Sequence, residues 1–139
     1  MEKDSARRQA NADFLHAELN KIPGIGTQKP GRCATMQSYY VYCITVAPDA
    51  LKEGKTRDDV IAALAAEGVT LFTGWGAVAY KQRLWNVSPE RYRVESFETV
   101  ENIIANKVMM ADLRWLNGER ELCEKFVEAF HKVMGAYGK

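Results

Sequence analysis

Four stretches with helical apolar spacing alternate with only three short strand-like runs. That alternation limits the fold more than any other feature of the chain. Residues 4–21 set Ala10, Phe14, Leu15 and Leu19, with Ile22, on one side at spacings of three and four, and Pro23-Gly24 stops the helix. Residues 26–37 are rich in Gly, Pro and polar residues and predict a loop, with room for a short edge strand. SYYVYCITVA, 38–47, predicts a strand with Tyr40 and Tyr42 on one face and Tyr39 on the other. Thr56 is placed to cap a second helix, with Asp58 and Asp59 in the first turn, an apolar stripe of Val60, Ile61 and Leu64, and a stop at Gly68.

VTLFT, 69–73, predicts the next strand, and an irregular segment follows over 74–95. Ser96 is placed to cap a third helix with Phe97, Val100, Ile103 and Ile104 inward, and 108–116 predict a third strand. Asn117 is placed to cap the last helix, whose stripe is Leu122, Phe126, Ala129, Phe130 and Val133, and Gly135 to end it. Few, short strands among amphipathic helices point to an α+β fold: a small, mainly antiparallel sheet with helices packed on one face. A doubly wound nucleotide fold would need more parallel strands and a Gly-rich first turn. PGIGTQKPG does not provide that turn, because no strand precedes it. The 139 residues predict a single domain.

Charge and composition exclude several classes. A net charge of +1 provides no field for nucleic acid or anionic lipid. No apolar run approaches the roughly 20 residues needed to span a bilayer, and MEKDSARRQA is too polar for a signal peptide. Cys33, Cys43 and Cys123 lack CxxC spacing, which predicts free, mostly buried thiols in a reducing cytoplasm. His16 and His131, the only histidines, lie in helical patterns and predict no catalytic constellation.

The segment LFTGWGAVAYKQRLW, 71–85, concentrates Trp75, Tyr80, Lys81, Arg83 and Trp85. Its aromatics suit either packing against another protein surface or the wall of a ligand cleft. A basic stripe, which nucleic-acid stacking would require, is absent from the sequence around them. Lys81 would become a nucleophile only if desolvated or set beside another cation, and is otherwise a solvated loop lysine. Arg32 and Arg83 lie on loops next to strands, where a guanidinium can grip a carboxylate or sugar hydroxyls; the plainer reading is a surface arginine. Asp58 and Asp59 are explained by the helix dipole, and Met109-Met110 by core filling.

Longer stretches carry a resemblance. ARRQANADFLHAELNKIPGI is similar to the helix that opens the small domain of certain aminotransferases. SYYVYCITVAPDALKEGKTRDDVIAALAAEGVTLFTGW, AYKQRLW and ENIIANKVMMADLRWLNGERELCEKFVEAFHKV resemble successive stretches of the same proteins. The family is the DegT/DnrJ/EryC1/StrS group of pyridoxal-phosphate-dependent aminotransferases, of fold type I. The resemblance implies the C-terminal small domain of an enzyme roughly three times this length. Such an enzyme transfers an amino group to keto-sugars or keto-cyclitols. It implies that pyridoxal phosphate and its Schiff-base lysine belong to a large domain outside this chain, so the chain alone is expected to bind no cofactor and to carry no catalytic residue. The implied partners are that large domain, in cis or as a separate chain, and a second protomer; membranes and nucleic acid are not among them. Trp75, Tyr80, Arg83 and Arg32 become the residues expected to face substrate. Where the family commonly has proline near its Leu-Tyr-x-x-Pro-Leu-Phe segment, this chain has Ala77, Ala79 and Arg83. A non-catalytic assembly module working with a separately encoded large domain is the alternative. A domain without its partner is also expected to expose apolar area.

Overall fold

The computed structural model describes residues 2–74, 78–81, 87–93 and 96–139. The elements run α1 (Glu2–Leu19), β1 (Ile25–Thr27), β2 (Tyr42–Val46), α2 (Arg57–Ala66), α3 (Glu98–Asn106), β3 (Val108–Ala111), α4 (Arg114–Asn117) and α5 (Arg120–Tyr137). The sheet order is β1-β2-β3, and both pairings are antiparallel. The fold is therefore α+β with a small antiparallel sheet, as the alternation of patterns predicts.

Register decides which face is covered. Ile25 pairs with Val46, Ile44 with Met109, and Tyr42 with Ala111, so these six share one face. All six are buried, in one cluster with Leu15 and Leu19 of α1, Val60 and Leu64 of α2, Leu116 of α4, and Phe126 and Phe130 of α5. On the opposite face Cys43 pairs with Met110, and both are only partly buried. Phe72 bridges Met110 from the other side and is 37% exposed.

Local chemistry fixes the helix ends. Thr56 and Asp59 form a reciprocal capping box at the start of α2, which explains Asp59 without catalysis. The Thr56 side-chain and backbone donors hold the Asp59 carboxyl below its ordinary range. Gly68 leaves α2 at φ +86°, a conformation suited to glycine. Gly24, at φ +80°, lets the chain turn against Ala50, whose methyl an added Cβ would overlap.

Several expectations are corrected. The strand foreseen over 38–47 begins only at Tyr42. Tyr39 adopts φ 47°, which breaks the alternation, so Tyr39 and Tyr42 are both buried with ring centroids 6.0 Å apart, while Tyr40 is 78% exposed. The strand over 69–73 contracts to the Phe72–Met110 bridge, because the Val69 N–H donates to Leu64 O at the exit of α2. The strand over 108–116 ends at Ala111. Asp112 accepts the Arg114 N–H at 2.9 Å, an Asx turn that opens α4.

Asn117 does not cap α5. It lies in α4, where its side-chain oxygen accepts from Arg8 at 2.7 Å, and Glu119 precedes α5. Gly135 does not end α5. The helix runs on to Tyr137, whose carbonyl accepts the Lys52 N–H, and Gly138 bridges Leu51. Ser96 caps nothing, and Phe97 precedes α3 without a side-chain cap. In α1 the buried side includes Asn11, Ala12, Leu15 and Leu19, whereas Ala10 is exposed. Asn11 is tolerated there because its amide donates to Leu116 O at 3.0 Å and Gly118 O at 2.9 Å.

Candidate functional site

The start of α2, the segment after Phe72, the turn at Ala79–Lys81 and α3 surround an open cavity of about 270 Å³. Arg57, Thr73, Val78, Lys81, Glu101 and Ile104 contribute to its lining. Two further hollows occur, one between Lys55, Asp58 and Asn102 and one over Gly26 and Thr45. The first is distinguished by convergence: its three charged side chains and hydroxyl come from four segments, whereas those of the second all come from 55–58.

Glu101 is the hub. Its Oε1 accepts from the Tyr80 hydroxyl at 2.9 Å and from Lys81 Nζ at 2.8 Å. Tyr80 also lays its ring on Phe97, with centroids 3.9 Å apart. Phe97, just before α3, and Glu101 are four residues apart, one helical turn, and the Glu101 N–H donates to Phe97 O, so both meet the Tyr80–Lys81 turn from one side. Desolvation and the adjacent Glu101 carboxylate push the Tyr80 phenol up to about 12. The hydrogen bonds from Lys81 and Tyr80 hold the Glu101 carboxyl below its ordinary range. Lys81 and Glu101 remain 55% and 37% exposed, so the pair stabilises the fold little and can exchange partners for a polar ligand.

Arg57 lies behind this cluster. It is the first residue of α2, yet only 8% exposed. Nη1 donates to Ile104 O at 2.9 Å and Val108 O at 3.0 Å, Nη2 to Ala105 O at 2.8 Å, and Nε to Asp58 Oδ1 at 2.7 Å. The guanidinium fork thus takes up two carbonyls at the end of α3, which lack partners within the helix, and one at the start of β3.

Of the residues expected to face substrate, Tyr80 is at this cluster, hydrogen-bonded to the lining carboxylate. Arg32 is exposed on the loop before β2 and does not line the cavity. Trp75 and Arg83, with Trp85, lie outside the described residues. The sequence patterns did not single out Glu101 or Arg57; the four-residue spacing from Phe97 was the signal for Glu101. The apolar side expected to face inward does so only in part: Phe97 and Ile104 are half-buried. No α3 residue is buried, and Val100 and Ile103 are 40% and 38% exposed.

The other candidates are structural or inert. His16 shares a hydrogen bond with Thr27, and Asn20 donates to the same hydroxyl at 2.8 Å, tying α1 to β1. Burial raises the Cys43 and Cys123 thiols above their ordinary range, whereas Cys33 is exposed rather than buried. Met109 is fully buried core, whereas Met110 faces the half-covered side. None of the lysines is buried, and Lys81 sits on a carboxylate. The chain therefore offers no desolvated amine for a Schiff base, and its lysines do not fit a bound pyridoxal phosphate. No helix of the described residues is long and apolar enough to cross a membrane.

No family model matches the sequence, and no curated protein matches it. Solved structures do share its fold. A 3-amino-5-hydroxybenzoic acid synthase superposes at TM-score 0.72 and 18% identity, over 97% of this chain and 35% of its own. An aminotransferase from Psychrobacter cryohalolentis superposes at 0.73 and 20%, over 96% of this chain and 35% of its own. A DegT DnrJ EryC1 StrS aminotransferase from Brucella abortus superposes at 0.67 and 17%, over 99% and 32%. The chain thus has the fold of one part of these proteins, the synthase and the two aminotransferases, and spans about a third of their length.

Proposed function

We propose that the 139 residues form the C-terminal small domain of a DegT/DnrJ/EryC1/StrS-type aminotransferase. In this reading the chain works with a large domain that carries pyridoxal phosphate and the Schiff-base lysine, in cis or on a separate polypeptide. The intact cytoplasmic enzyme is a homodimer that aminates a keto-sugar or keto-cyclitol. The observation that carries the reading is the shared fold over nearly all of this chain and only a third of each of the two aminotransferases. Two features support it. Val100 and Ile103 on α3, and Phe72 at the sheet edge, leave apolar surface uncovered, as a domain contact needs. The Tyr80–Lys81–Glu101 cluster opens onto a cavity on the same α3, with donors and an acceptor suited to a hydroxylated substrate. The chain's own part is to bind, orient and exclude water, since its lysines do not fit the cofactor.

The test has two arms. The purified chain is mixed with pyridoxal phosphate and borohydride, and reduced lysine adducts are read by mass spectrometry. A stoichiometric adduct at one lysine would sink the proposal; scattered, substoichiometric labelling is the expected result. In the second arm the chain is added to a cofactor-loaded large domain, and transamination of a keto-sugar is measured with glutamate as donor. Restored turnover, weakened by Glu101→Ala, is expected. Turnover equal with and without the chain would overturn the reading.

A further inference from the structure

We infer that Arg57 is a positioning residue: by holding the last carbonyls of α3 it sets Glu101 against Tyr80 and Lys81 at the cavity. That this cavity belongs to an aminotransferase cleft rests on the function proposed above; the seating of Glu101 does not. α3 buries no residue fully, so apolar packing holds it only weakly. Its C-terminal end is gripped instead by two hydrogen bonds from one side chain, to Ile104 O and Ala105 O, and a third bond from the same guanidinium, to Val108 O, ties that grip to the start of β3. A guanidinium spans these acceptors because its donors form a rigid planar fork; an ammonium presents a single point. Glu101 lies three residues before Ile104 on the same helix, about 4.5 Å along its axis. A shift of the gripped end therefore carries Glu101 with it. The Asp58 carboxylate on Nε fixes the fork's orientation from the other side.

The Arg-Asp pair that opens RDDVIAALAAEGV thus has a local physical task. It couples the capped start of α2 to the element that presents the acidic group of the cavity.

The experiment follows the Tyr80 phenol by carbon-13 NMR of ring-labelled tyrosine, with Tyr80→Phe to assign the signal. Desolvation and the hydrogen bond to Glu101 push the Tyr80 phenol up to about 12; near pH 10.5 a phenol with that value is about 3% ionised, against about 75% at the ordinary value of about 10. Arg57→Lys and Arg57→Met are compared with Glu101→Gln and with the double variant Arg57→Lys/Glu101→Gln. Amide exchange in α5 reports whether the core is intact. Expected is a several-fold rise in Tyr80 ionisation in the Arg57 variants with α5 protection retained, and no further rise when Arg57→Lys is added to Glu101→Gln. An unchanged Tyr80 titration in an Arg57 variant that keeps α5 protection would overturn the inference. So would a double variant that shifts Tyr80 beyond Glu101→Gln alone. Where Arg57→Met loses α5 protection, Arg57→Lys decides; loss in both makes Arg57 a general stability residue and also overturns the inference.

Discussion

α3 and α5 are equally amphipathic in sequence, and the fold treats them in opposite ways. α5 buries Phe126, Ala129, Phe130 and Val133 of its apolar stripe in one cluster with α1, α2, α4 and the sheet. α3 buries none and is held by Arg57 through its backbone. An apolar stripe states that a helix face is to be covered; it does not state which chain or domain covers it. On the α5 side the cover is present, and stability comes from apolar burial. On the α3 side a few polar bonds around one arginine and one glutamate hold the geometry, and apolar side chains remain exposed.

The largest test of this contrast is on the core side. Phe126 is fully buried, edge-on to Trp115 at 5.0 Å and stacked on Phe130 at 5.1 Å. Phe126→Ala is expected to cost about 3–5 kcal/mol, because the cavity is enclosed by several elements and cannot collapse. Urea unfolding measures it. A cost below about 1 kcal/mol would mean that α5 is not the centre of the core.

The counterpart on the other side is Ile103→Ser. Ile103 is 38% exposed on a helix without buried residues. In the chain by itself the change is expected to stay within about 0.5 kcal/mol, as for ordinary surface positions. Paired with a large domain, the same substitution is expected to weaken association measurably by titration calorimetry. A large loss of stability in the isolated chain would erase the contrast between the two helices.

The same contrast explains what was legible beforehand. α1, α2 and α5 could be read because their signals are local: apolar spacing at three and four, Thr56 as a cap for α2, the Pro-Gly stop after α1 and the Gly68 stop after α2. The short sheet followed from the β-branched and aromatic runs, but its limits did not. Tyr39 turns at a positive φ that no tyrosine signals, and Asp112 ends β3 with an Asx turn inside an apparently alternating run. Val69 is claimed by the exit of α2 before it can extend a strand. At the site, the aromatic and cationic turn around Tyr80 stood out in composition, whereas Glu101 was one acid among several in a helical pattern. Arg57 was invisible because its partners are backbone carbonyls 47 to 51 residues away, and no side-chain pattern records those.

The smallest expected effect is the most local, and it separates the polar seat of α3 from the apolar core. The Lys81 and Tyr80 hydrogen bonds lower the Glu101 pKa in the folded chain. A carboxyl lowered by folding adds stability above its unfolded value, about 4.3, and that contribution is lost as pH falls through the lowered folded value. Amide protection of α3, corrected for intrinsic exchange, is therefore expected to fall as pH drops below about 4.3, while α5 stays protected. In Glu101→Gln the protection of α3 should already be reduced and should not change across that window. Asp59 is lowered as well and titrates in the same range, but its bonds are to Thr56, so its protonation loosens the first turn of α2. Protection at α3 distinguishes the two, because Glu101→Gln removes the pH response there and leaves the response at α2. If α3 keeps full protection well below pH 4 in the unmodified chain, the Glu101 cluster does not help to seat the helix, and Arg57 alone holds it.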